Sequence, residues 1–147
     1  MKKFTCEIHI KKPRDVVVEV FSNEEHFPNF QEGFQKIERL EGPPGQQGST
    51  AMVYYQMRGA DVVLKETILQ NNLPFNFAAS YEHKHMDNHM VSRFDDLGDN
   101  STLYTAEVEY TAIRGFMPTL ISWIYPGFFK KQVEKWMQDF KAYLEEM

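Results

Sequence analysis

Residues 128–147, FFKKQVEKWMQDFKAYLEEM, constrain the fold more than any other stretch. Phe129, Val133, Trp136, Met137, Phe140, Tyr143 and Leu144 recur at steps of three and four. Lys131, Glu134, Lys135, Gln138, Asp139 and Lys141 take the other side. This spacing predicts an amphipathic helix of about five turns with one apolar stripe to bury. Upstream the period becomes two. FQKIERLE, STAMVYYQM, DVVLKETILQ, FNFAASYEH, NHMVSRFDDL and STLYTAEVEYTAI are separated by short turn-forming segments such as GPPGQQG, RGA, NNLP and GDNS. They read as six strands of an antiparallel meander, and FTCEIHI adds a strand over residues 3–10. One long helix must therefore cover a sheet of seven strands. A helix is about 10 Å wide, so it cannot close over such a sheet everywhere, and a gap is expected between them.

Between the first two strands lies KKPRDVVVEVFSNEEHFPNF. Pro13 suits a first helical turn, and SNEE has the form of a capping box, with Ser22 as cap and Glu25 at the third position. Two short helices are predicted, over about 14–21 and 23–29, the second ended by Pro28.

At 147 residues, the chain is expected to form one domain spanning 1–147. Its net charge of −5 argues against non-specific binding to nucleic acid, which needs clustered Lys and Arg. The single Cys6 allows neither an internal disulfide nor a cysteine metal cluster, and it reads as a buried, inert thiol. Glu7 interrupts the apolar run near the start, so no signal peptide is expected. The most apolar window, FMPTLISWIYPGFF, is shorter than the ~20 residues of a bilayer span and holds two prolines. These features predict a cytoplasmic protein without stable membrane insertion. No phosphate loop, GxSxG, HExxH or EF-hand motif is present, and no cofactor is expected. Nothing in the pattern sets an oligomeric state. Aromatic residues make up 14% of the chain and there are eight Met. That inventory suits a large core, and equally the lining of a pocket for an apolar guest.

Several segments together resemble the START-like (SRPBCC) superfamily, which includes polyketide cyclase/dehydrase-like and lipid-transfer proteins. They are KKPRDVVVEVFSNEEHFPNF with its aromatic–Pro–x–aromatic end, LEGPPGQQGS, KETIL followed by LPFNFAAS, and FFKKQVEKWMQDFKAYLEE. The resemblance covers nearly the whole chain and implies the α+β helix-grip fold. In that fold a curved seven-stranded antiparallel sheet wraps around a long C-terminal helix, with two short helices after the first strand. It also implies a ligand chamber between sheet and helix.

Strand alternation nominates the lining of such a chamber. Val62, Leu64, Glu66 and Ile68 share one face, as do Phe75, Phe77, Ala79 and Tyr81 on the next strand. Met90, Ser92 and Phe94 follow, then Tyr104, Ala106, Val108 and Tyr110. The third strand points Ala51, Val53, Tyr55 and Met57 inward. Phe116, Trp123, Trp136 and Phe140 are the helix-side candidates. Each apolar position is equally explained as plain core. Tyr55, Tyr81, Ser92, Tyr104 and Tyr110, however, bring hydroxyls to this face, and a buried hydroxyl needs a partner.

Glu66 is the one inward carboxylate expected. If unpaired it is a candidate general acid or base; at a sheet margin, or beside a cation, it is structural. The segment YEHKHMDNHM places His83, His85 and His89 at a strand–turn–strand junction, at the end of the sheet where the resemblance implies the chamber's mouth. Three imidazoles there could converge on a metal or gate a ligand, but loop tips also collect polar residues without function, and a solvated turn is the favoured reading. TAIRGFMPTLISWIYPGFF, with Gly115, Pro118, Pro126 and Gly127, reads as the entry to the long helix, or as a lid.

The leading expectation is a binding or carrier protein for a small hydrophobic molecule such as a lipid, polyketide, isoprenoid or aromatic metabolite. The alternatives are a cyclase- or dehydratase-type enzyme using Glu66, a tyrosine or a histidine, and a protein-interaction module whose cavity is vestigial.

Overall fold

The structure is a computed structural model describing residues 3–116 and 127–147. Seven strands join one antiparallel sheet. They are β1 (Lys3–Ile10), β2 (Phe34–Glu41), β3 (Thr50–Met57), β4 (Ala60–Asn72), β5 (Asn76–Glu82), β6 (Met86–Asp96) and β7 (Thr102–Ile113). Their spatial order is β1-β7-β6-β5-β4-β3-β2. From β2 to β7, each strand lies beside its sequence neighbour because tight turns link them. Arg58 and Gly59, both at positive φ, close β3 onto β4 as a two-residue hairpin with Met57 opposite Ala60. At Gly33 (φ 76°) a Cβ would fall 2.2 Å from the carbonyl oxygen of Gln56, so the entry into β2 requires glycine. Register shifts beside Leu69 in β4 and between Asp87 and Asn88 in β6 mark irregularities of the kind that bend a sheet.

Among the described residues the main helices are α1 (Arg14–Ser22), a 3-10 turn (Glu24–His26), α2 (Phe27–Phe30) and α3 (Phe128–Glu145). The predicted capping box is not formed. Ser22 is still helical and its hydroxyl donates to the Val18 carbonyl at 2.8 Å. The extended cap position falls to Asn23, whose side chain accepts from the Glu25 amide at 3.1 Å. Pro28 does not end the second helix either. It sits in the first turn of α2, where no backbone N–H is needed.

The stripe on α3 buries Phe129, Met137, Phe140 and Leu144. The helix packs against β1, at one edge of the sheet. Beneath it, Phe94 stacks on Tyr104 at 4.8 Å between ring centroids, and Trp136 on Phe140 at 5.5 Å. Phe21 of α1 meets Phe94, Tyr104 and Phe140 edge-on. This half of the inner face is packed solid, and Tyr104 finds its polar partner in the buried Ser92 hydroxyl at 3.0 Å. Cys6 lies in the same core, and burial raises its thiol pKa, with the Glu134 charge adding to the effect. Phe116, a helix-side candidate for the lining, is instead 77% exposed, past the end of β7 at Ile113. Trp123, and most of the lid candidate, lie outside the described residues.

A chamber over the central strands

Because α3 lies toward β1, the inner faces of β2–β5 are left uncovered by it, and a cavity of about 400 Å³ opens there. Its floor is the sheet, and the ends of α1 and α2 and one side of α3 form the rest of the wall. Val53, Tyr55, Leu64, Glu66, Phe77, Tyr81, Met90, Ser92, Tyr110 and Trp136 line it, as alternation places them, together with Ile68. Ala79, Phe94, Tyr104, Ala106, Val108 and Phe140 do not. All six are buried, and packed rings enclose Phe94, Tyr104 and Phe140. Phe116 is likewise absent from the wall.

Other lining residues were not anticipated. Ile37, Arg39 and Asn88 continue the alternation of β2 and β6, so the signal for them was present. Phe21, Ser22, Glu24, Phe27, Gln31 and Gln132 come from helices and their connections. Which helix face turns toward the hollow is a property of packing that no local pattern carries.

Strand register lays Arg39, Ala51, Glu66, Tyr81, Asn88 and Tyr110 in a single row across the sheet. Ala51 is small, which leaves Arg39 and Glu66 in view of each other across it. Arg39 forms a salt bridge with Glu24, a second carboxylate in the chamber. The Tyr81 hydroxyl faces Glu66, close enough for hydrogen bonding to act on its carboxylate. Burial pushes the Glu66 pKa up, while this hydrogen bond and the Arg39 charge pull it down, and burial prevails. Burial also raises Tyr81 and Tyr55, and Tyr110 is pushed up to about 12. The Tyr55 hydroxyl donates to Gln31 Oε1 at 2.6 Å. The three tyrosines are thus suited to hydrogen bonding in their protonated forms.

The histidines lie elsewhere. None of His83, His85 and His89 lines the chamber. His89 belongs to β6, paired between Ser80 and Glu109 on the opposite face of the sheet. His83 and His85 sit in the β5–β6 turn with ring centroids 5.6 Å apart. Burial and neighbouring positive charges lower the His83 pKa. Arg114, just past β7, clamps the turn: it donates to both Asp87 carboxylate oxygens, at 2.7 and 3.0 Å, and to the His83 carbonyl. Among the described residues, no three His, Cys, Asp or Glu side chains are placed to hold a metal ion. Among the same residues no helix is long and apolar enough to cross a membrane.

These features define the helix-grip fold: an α+β protein with a seven-stranded antiparallel sheet gripping a C-terminal helix. Solved structures share it over almost the whole chain. The ZhuI aromatase/cyclase from Streptomyces sp. R1128 aligns over 98% of this chain and 93% of its own, with a TM-score of 0.80 at 11% identity. Ara h 8.0201 aligns over 99% of both chains with a TM-score of 0.78 at 13% identity. A START superfamily protein from Mycobacterium smegmatis covers 98% of this chain and 97% of its own, at TM-score 0.76 and 11% identity. No family model and no curated protein matches the sequence.

Proposed function

We propose that the protein binds a small, mainly apolar molecule in the chamber over β2–β5. The observation that carries this reading is the chamber's composition. Phe21, Phe27, Leu64, Phe77 and Trp136 offer apolar surface around one row of polar groups. Burial of apolar ligand surface contributes about 25 cal/mol per Å², while the polar row fixes orientation. About 400 Å³ lies within the usual range for small-molecule sites. An expected cytoplasmic setting agrees with the single, buried, free Cys6.

The test is native mass spectrometry of protein purified without detergent, before and after organic extraction. A small apolar compound should accompany the folded protein and be removed by extraction. A bare mass in every preparation, with no binding of apolar fluorescent probes, would end this reading and favour an interaction module.

A second reading is favoured by Glu66, a half-buried carboxylate with raised pKa beside the Tyr81 hydroxyl. This is the equipment of a proton-transfer catalyst, and one structure of the same fold is an aromatase/cyclase. Under it, Glu66→Gln abolishes turnover of a chamber ligand while the ligand still binds. Unchanged turnover in that variant would exclude Glu66 as the acid or base.

A further inference from the structure

The chamber wall holds only three charged side chains among the described residues: Arg39, Glu24 and Glu66. The segment 117–126, MPTLISWIYP, contains no charged side chain to add to them. Arg39 is paired with Glu24. Glu66 has the Tyr81 hydroxyl beside it and feels the Arg39 charge, but shares that one cation with Glu24. With all three ionised, the wall carries one positive and two negative charges, a surplus of one carboxylate in an apolar hollow.

We infer that the natural ligand is an amphiphile bearing a protonated nitrogen, seated with its cation against Glu66 and its apolar body along Leu64, Phe77 and Trp136. This rests on the chamber being a ligand site and names the class of ligand it takes. An ammonium there makes a charge-assisted hydrogen bond to Glu66 and supplies the missing counter-charge. Asn88, next but one to Glu66 along the polar row, adds a neutral carbonyl acceptor for a second N–H. A carboxylate or phosphate headgroup meets the opposite situation. The one guanidinium is already occupied by Glu24, and Glu66 repels the newcomer.

The test compares decylamine, decanol and decanoic acid, below their aggregation concentrations, by isothermal titration calorimetry at neutral pH. These probes share an apolar chain and differ in the headgroup. The amine should bind about tenfold more tightly than the alcohol, and the acid most weakly. Glu66→Gln should erase the advantage of the amine over the alcohol. Glu24→Gln, which frees Arg39 without touching Glu66, should bring the acid up toward the amine, and it remains informative even where the Glu66 variant does not fold. Equal binding of all three probes, or a preference for the acid in the native protein, overturns the inference and leaves the chamber a ligand site. Failure of every probe to bind overturns both.

Discussion

Glu66 carries an expectation that follows from its position alone. Its pKa is raised in the folded state, so the native protein retains a proton that the unfolded chain gives up sooner. The native state is therefore least penalised at acid pH. Stability falls as pH rises from the ordinary carboxylate range through the raised value, and above that the penalty is constant. Glu66→Gln removes the titration. In urea unfolding from acid to neutral pH, the variant's advantage should grow with pH and then level off once Glu66 is fully ionised in both states. A gap that stays flat would show that Arg39 and Tyr81 compensate the charge fully. Glu66 was legible in sequence as the only acid on a face with Val62, Leu64 and Ile68. Its surroundings were not, since Arg39 reaches it only through the pairing of β2 with β3 and β3 with β4. Glu24 was equally hidden, because it is a surface-type residue in a helical turn until α1 and α2 are docked.

At the scale of the element, the β5–β6 turn is held by a neighbour in addition to its own bonds. Arg114 binds Asp87 and the His83 carbonyl through its side chain, and its amide donates to the His85 carbonyl at 2.6 Å. Arg114→Ala should speed hydrogen exchange at the His83 and His85 amides while leaving the exchange of β7 core amides unchanged. Slowed or unaltered exchange in the turn would show that the turn's own bonds, His83 N–H to the Met86 carbonyl and His85 N–H to His83 Nδ1, suffice. The period-two segments and the C-terminal stripe fixed these elements well before any packing was known: FQKIERLE is β2 residue for residue. The short helices were less legible at their ends, since Ser22 and Asn23 are both good caps and the geometry of the last turn of α1 decides between them.

For the whole molecule, the decisive fact is that α3 is displaced toward β1, so one half of the inner face is solid and the other hollow. This makes the chamber separable from stability. Leu64 lines the hollow on β4. Leu64→Trp should fill it, lowering affinity for apolar probes at least about tenfold while keeping the melting temperature at or above that of the native protein. Loss of folding in that variant would mean that the wall is as rigidly packed as the core, and that the hollow is not open to a guest. The sequence by itself determined the order of elements, the inward face of each strand and the apolar stripe of α3, because alternation and helical period are local consequences of backbone geometry. Only the tertiary structure decided which inward residues face a rim of rings and which face a void. Phe94 and Leu64 obey the same alternation, yet one is sealed beneath Phe21 and Tyr104 and the other borders open space. Where one helix comes to rest on a sheet wider than itself depends on the sum of distant contacts, and no single segment encodes that sum.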